Sequence, residues 1–305
     1  MNEGQLVAIP TETVYGLAAN ALDAQAVAAI FAAKNRPTFN PLIVHVKSLE
    51  AVVEYVTDIP DQARRLAQRY WPGPLTLLLS KKPIIPDLVT AGLPMVAVRV
   101  PSHPLTLELL QSLDFPLAAP SANPFGYISP TTAQHVVQQL GDKVSYTLDG
   151  GKCRVGIEST IVSFDSEVPK VLRLGGLRLE DIEVVIGPVE TALHSSSYPL
   201  APGMLKSHYA PRKPLYLYEN KELMKIRMEP ATGYLFFKKN IDLDGDDNCL
   251  YLSENGDLNE AAQNLFGFLR KLDASPVREI RAELLPEIDL GRAINDRLRR
   301  AAALE

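Results

Sequence analysis

Along residues 1–187, short runs of branched apolar residues alternate with stretches whose apolar positions recur at helical spacing. Leu6–Ile9, Leu42–Val46, Leu75–Ser80, Val96–Val100, Leu117–Ala119, Ser145–Leu148, Thr160–Phe164 and Lys170–Leu174 have the length and side chains of strands. Helical spacing falls on the run after Asp23, a candidate N-cap, and on Asp61–Tyr70, Pro104–Ser112, Thr131–Leu140 and Leu179–Ile186. Many connections carry proline, so the pattern predicts an α/β domain on a twisted, mixed sheet rather than a fully parallel one. The pattern stops between Gly187 and Pro214, a Pro- and hydroxyl-rich stretch too long for an ordinary connection. Residues 188–213 therefore read as a linker or a lid. Strand patterns return at Leu215–Tyr218, Tyr234–Phe237, Cys249–Leu252 and Arg278–Ala282. Helical ones return at Glu219–Met228, Leu258–Leu272 and Leu290–Ala302. Residues 214–305 thus predict a second, smaller, Rossmann-like α/β domain, with an acidic loop at "IDLDGDDN".

Composition narrows the class. The chain has 305 residues, 46% of them hydrophobic, which at roughly 150 residues per domain suits two domains. A net charge of -5 argues against a protein built mainly to grip a nucleic-acid backbone. Cys153 and Cys249 are too few and too far apart for a disulfide framework or a zinc cluster, so a reducing cytosol is the expected compartment. No signal peptide and no membrane span is expected, because no stretch has the roughly 18 apolar residues a span needs.

The candidate chemistry starts at "IPTETVYGLAANA", residues 9–21, which reads as a strand-to-helix junction. Such junctions often hold phosphate on glycines, but this one has only Gly16, with Thr11, Glu12, Thr13 and Tyr15 around it. Neither a P-loop nor a G-x-G-x-x-G, H-E-x-x-H or G-x-S-x-G motif is present. Phosphate, if bound, must be held by side chains. Lys34 and Arg36 close the first long helix, where the plainer reading is two solvated cations favouring its C-terminus. His45 in "LIVHV" reads first as a structural histidine. Arg99 in "VAVRVP" is costly inside an apolar strand unless paired or facing an anion, and both readings stay open. Ser121, Asn123 and Ser129 sit in a Pro-rich turn, where Ser129 could simply cap the next helix. Glu158, Ser159 and Thr160 open one strand and Arg173 ends another. Together these supply arginines and hydroxyls near strand ends, as a site for a polyanion and a small polar molecule requires.

The segments "PTETVYGL", "KNRPTFNPLIVHV", "WPGPLTLLL", "VAVRVPSHP", "APSANPFGYISPT", "LDGG", "GIESTIV" and "LRLGG", in this order, resemble the YrdC-type threonylcarbamoyl-AMP synthases. With "APGMLKSHYAPRKPL" and a small following domain, the chain is similar to the long, two-domain form of that family. The family usually opens with a helix ahead of the first strand, which here begins within ten residues of Met1. The resemblance implies that ATP, L-threonine and bicarbonate or carbon dioxide, with Mg2+, give threonylcarbamoyl-AMP and pyrophosphate. The product would serve threonylcarbamoylation of tRNA by a downstream transferase. Direct contact with tRNA or double-stranded RNA is a further partner to test. Carried over by motif, Thr13, His45, Arg99, Ala119 and Ser159 match threonine-site positions. Arg36, Asn40, Met95, Ser121, Ser129, Arg173 and Tyr209 match ATP-site positions, Met95 through its backbone. The resemblance calls for no protein nucleophile and no protein-held metal. Two rivals remain: a carbamoyl-adenylating domain that uses carbamoyl phosphate, and a non-catalytic double-stranded-RNA-binding module.

Overall fold

The computed structural model describes residues 1, 3–193, 199–219, 229–239 and 248–303. Its strands are β1 Val7–Ile9, β2 Gly16–Asn20, β3 Ile43–His45, β4 Leu75–Ser80, β5 Met95–Arg99, β6 Leu117–Ala118, β7 Tyr146–Thr147, β8 Thr160–Ser163, β9 Lys170–Arg173, β10 Glu190–Thr191, β11 Leu215–Tyr218, β12 Thr232–Lys238, β13 Cys249–Ser253 and β14 Glu279–Glu283. Its α-helices are α1 Ala24–Lys34, α2 Leu49–Val52, α3 Asp61–Tyr70, α4 Asp87–Thr90, α5 Pro104–Ser112, α6 Ala133–Leu140, α7 Leu179–Ile186, α8 Leu258–Ala274 and α9 Asp289–Ala302. The first ten strands form one mixed sheet in the order β10-β9-β8-β4-β5-β3-β6-β2-β1-β7. The last four form a parallel sheet, β11-β14-β12-β13. The expected α/β class, with a large mixed sheet and a second, smaller sheet, is therefore what the chain adopts.

Strand alternation sorts the large sheet into two faces. Val44, Leu77, Val98, Val162 and Val171 join the main helix-covered core. Ile43, Leu78, Ala97, Ile161 and Leu172 point the other way, into a small cluster closed by Ala201 and Met204 of the linker. The linker thus lies on the central strands and replaces a helical layer there. His45 and Arg99 continue this second face, and they are register partners across β3 and β5.

Three readings from periodicity need correction. Residues 9–21 are not a strand-to-helix junction: β2 follows the turn and pairs antiparallel with β1, and only then does α1 begin. The run "GLAAN" is too small-residued to show strand alternation, and both its faces are buried. The helix expected from Thr131 starts at Ala133, with Thr132 as its N-cap, so Ser129 caps nothing. Lys34 and Arg36 are buried rather than solvated, at 1% and 7% exposure. Asp23 does cap α1, accepting from the Gln25 and Ala26 amides. The expected helix Glu219–Met228 and the acidic loop lie outside the described residues except for Glu219 and Asn248.

The two sheets' domains are closely docked. Gly156, at φ +83°, lies against α8 so tightly that a Cβ there would be 2.4 Å from Gln263 Cα. Arg270 of α8 donates from Nε to the Ser129 carbonyl at 3.2 Å and from Nη2 to the Ile128 carbonyl. Asp273 accepts from the Arg212 amide at 2.8 Å and from the Tyr127 hydroxyl. The second domain therefore braces the loop that carries Ser129.

Candidate active site

The site grows out of the turn after β1. Thr11 Oγ accepts from the Thr13 and Val14 amides, both at 3.2 Å, and donates to the Val14 carbonyl at 2.6 Å. This hydroxyl-built turn needs no glycine, and it fixes Thr13 Oγ 2.8 Å from Thr11 Oγ. Side chains from this turn, from the ends of β3, β5, β6 and β9, from the approach to β8 and from the linker enclose a cleft with about 540 Å3 of atom-free space, part of it open to solvent.

Thr13, His45, Arg99, Ala119 and Ser159 all line it, as do Arg36, Ser121, Arg173 and Tyr209. Three candidates do not. Asn40 lies behind Arg36, taking its Nη2 at 2.7 Å on Oδ1 and its Nε at 3.2 Å on the carbonyl. Ser129 Oγ donates to Glu158 Oε1 at 2.6 Å. Met95 packs on the linker cluster at the far end of β5. The chain neighbours of these three do not line the cleft either, so each lies in a segment that runs behind the wall.

One end of the cleft is electrically balanced. Arg99 donates from Nη2 to Glu12 Oε1 at 2.6 Å, from Nη1 to Thr13 Oγ at 3.0 Å and from Nε to the Gly73 carbonyl at 3.1 Å. The Ser102 amide donates to the second Glu12 oxygen at 2.9 Å. Burial alone would raise the Glu12 carboxyl, but the Arg99 charge and these hydrogen bonds outweigh it and hold its pKa below the usual carboxylate value. Burial, with the nearby Arg99 charge, pulls His45 down to about 3, so its ring is neutral, and its Nδ1 has no hydrogen-bond partner.

The other end is not balanced. Arg173 donates from Nε and Nη2 to the Ser159 carbonyl and Oγ, both at 3.0 Å, and from Nη1 to the Pro202 carbonyl at 3.1 Å. Arg36 spends its bonds on Asn40 and the Pro41 carbonyl. Neither bonds a carboxylate. Burial pulls Arg36 down to about 9 and Arg173 down to about 10. A guanidinium still stays charged at neutral pH, so burial leaves two cations that gain from an anion. His208, pushed well below its ordinary value by burial and then by Arg36, Lys34, Arg297 and Arg173, stays neutral.

The linker forms the wall above this end. Gly203, at φ +85°, sits where a Cβ would be 2.9 Å from both Arg173 Cδ and the Tyr209 hydroxyl. Tyr209 itself has φ 66°, a costly conformation for a non-glycine residue that its packing holds in place. Its ring lies 4.1 Å from His208, 5.6 Å from Phe266 and 5.2 Å from the Arg297 guanidinium.

Glu12, Lys34, His208 and Arg297 complete the site and were not among the sequence candidates for it. Glu12 and His208 sit inside matched motifs, so the signal was present. Lys34 ties α1 to the Ser121 and Asn123 carbonyls, a long-range contact with no sequence mark.

Comparison with known proteins places this geometry. A family profile described as "Telomere recombination", of the Sua5, YciO and YrdC group, matches residues 1–175. A second, described as "Threonylcarbamoyl-AMP synthase, C-terminal domain", matches residues 177–303. The chain is 43% identical to the Pyrococcus abyssi threonylcarbamoyl-AMP synthase, spanning 99% of this chain and 92% of that one. It is 39% identical to the Bacillus subtilis enzyme of the same name, over 99% and 90%. The structure of Pyrococcus abyssi Sua5 complexed with L-threonine superposes with a TM-score of 0.90 at 40% identity, covering 98% of this chain and 91% of that one. The chain belongs to the threonylcarbamoyl-AMP synthase family, whose members are nucleotidyltransferase enzymes.

Proposed function

We propose that this enzyme makes L-threonylcarbamoyladenylate from L-threonine, bicarbonate or carbon dioxide, and ATP, with release of pyrophosphate. The product would supply threonylcarbamoyladenosine modification of tRNA through a downstream transferase.

The observation that carries this reading is the charge difference between the two ends of one cleft. Threonine is a zwitterion near neutrality, with no net charge. It suits the end where Arg99 and Glu12 cancel and His45 is neutral. A triphosphate suits the end where Arg36 and Arg173 bond no acid. In this assignment Thr13, His45, Arg99, Ala119 and Ser159 hold threonine. Arg36, Ser121, Arg173 and Tyr209 hold ATP, with Asn40 orienting Arg36 and Ser129 orienting Glu158. A backbone contact at Met95 would need the nucleotide to extend along β5 beyond the cleft.

The chemistry needs orientation more than a protein nucleophile. The substrate ammonium first gives up a proton to water; the neutral amine then attacks the carbon of carbon dioxide and loses a second proton to water, giving an N-carboxylate. A carboxylate oxygen then attacks the α-phosphorus, and pyrophosphate leaves. Cys153 is no rival nucleophile, because burial raises its thiol to about 12. Holding both reactants in one cleft supplies proximity, and the arginines offset charge on the phosphates. Among the described residues no group of three His, Cys, Asp or Glu could cage a metal. Mg2+ would therefore be held mainly by the phosphate oxygens and water, where it adds further neutralising charge. The linker wall would keep water from the labile carbamate.

Pyrophosphate release should require both threonine and bicarbonate. Equal release with carbamoyl phosphate and no threonine would instead support the carbamoyl-adenylating reading.

A further inference from the structure

One side chain of the second domain reaches the cleft wall. Arg297 of α9 is 1% exposed. It donates from Nε to Glu158 Oε2 and from Nη1 to Asp296 Oδ2, both at 2.8 Å, and from Nη2 to the Leu174 carbonyl at 2.7 Å. Its guanidinium also lies over the Tyr209 ring. One planar group thus joins the approach to β8, the end of β9, the linker and α9.

Among the described residues Glu158 is the one carboxylate in the lining, and it stands beside Ser159, which Arg173 grips. Its two oxygens are taken by Ser129 and Arg297. A buried carboxylate released from Arg297 has two choices, both harmful. It can turn to Arg173, whose charge already interacts with it, or stand uncompensated beside incoming phosphates. Arg300, one turn along α9, donates to the Leu193 and Leu205 carbonyls and offers its own carbonyl to the His208 amide. The helix that presents Arg297 is therefore fastened to both ends of the linker.

We infer that Arg297 is a positioning residue for the phosphate end of the cleft: it engages Glu158 and seats Tyr209, so that neither Arg36 nor Arg173 is bonded to a carboxylate before an anion arrives. This rests on the ATP assignment above and gives the second domain a part in it. The residue need not touch either substrate.

The test uses the full chain, with ATP, pyrophosphate and threonine binding measured by calorimetry at a temperature where melting curves show each variant folded. Arg297→Met should weaken ATP and pyrophosphate by about tenfold or more, the scale of a lost charge-assisted contact, and leave threonine nearly unchanged. Adding Glu158→Gln to Arg297→Met should restore most of the loss, because the stray carboxylate is then neutral. Three results would overturn the inference: unchanged ATP affinity, an equal loss for threonine, or no rescue by Glu158→Gln. Should Arg297→Met not fold, Arg297→Lys keeps the charge and loses the planar fork. It should show a smaller loss, still selective for the anions, and absence of that selectivity overturns the inference. A wild-type chain that binds neither ATP nor pyrophosphate overturns this inference with the ATP assignment. One that binds both yet makes no adenylate overturns only the proposed function.

Discussion

Arg99 and Arg173 stand in the same cleft, each nearly buried and each with three anchored nitrogens, yet their surroundings differ in one respect. Arg99 meets a carboxylate, Glu12, whereas Arg173 meets only carbonyls and a hydroxyl. A cation held by neutral dipoles keeps most of its attraction for an incoming anion, and a cation already paired does not. Residue type therefore does not decide what an arginine in a binding site is for. What decides it is whether its charge has been cancelled before the ligand arrives. In this protein the balanced end also carries a neutral histidine, and the unbalanced end carries Arg36 as well.

The largest expected effect breaks the comparison at the balanced end. Arg99→Ala leaves Glu12 buried without its partner, which costs about 3–5 kcal/mol of stability. Thermal unfolding should show that loss, and Glu12→Gln in the same chain should recover part of it. An Arg99→Ala protein that melts like the wild type would mean the pair is not structural, and that Arg99 is held for the ligand alone.

A smaller effect on stability, with a large one on binding, is expected at the other end. Arg173→Ala strands no acid, so its melting temperature should stay close to that of the wild type. ATP binding should weaken by about 1.5–3 kcal/mol, the usual loss for a charge-assisted contact. Arg36→Ala should behave alike. If either variant unfolds as readily as Arg99→Ala, the distinction between the two ends fails.

At neutral pH the smallest effect concerns protons, since it vanishes there and grows only on the acid side. His45 titrates near 3 in the folded chain against an ordinary 6.5. Between those values the unfolded chain binds more protons, so stability falls as pH drops below about 6.5 and stops falling on this account near 3. His208 and His135 are lowered too, His135 to about 4, and add to the same arm. Replacing His45 by Gln should flatten the acid arm of a stability-against-pH profile without changing its neutral plateau. An unchanged slope would show that His45 is not held neutral by burial.

Much of this was legible in the chain. The alternation of "LIVHV" already put His45 on the face opposite Val44 and Val46, "VAVRVP" marked Arg99 as costly in an apolar strand, and the matched motifs brought nine of the twelve candidate residues into one cleft. Asn40, Ser129 and Met95 were motif neighbours of lining residues, and a motif does not say which way each side chain turns. β2 escaped notice because a strand of small residues buried on both faces has no alternation to read.

By itself the sequence determined the α/β class, most strands and helices, and the family. Each of those rests on local spacing, hydrophobic period or contiguous motif, all of which are properties of neighbours along the chain. Only the tertiary structure decided which charges are cancelled. Glu12 meets Arg99 across 87 positions, and Arg297 meets Glu158 across 139. Burial decided the rest, turning Lys34 and Arg36 from two more surface cations into parts of a site. Coulombic pairing and desolvation depend on distance in space and on depth from water, and no period along the chain encodes either.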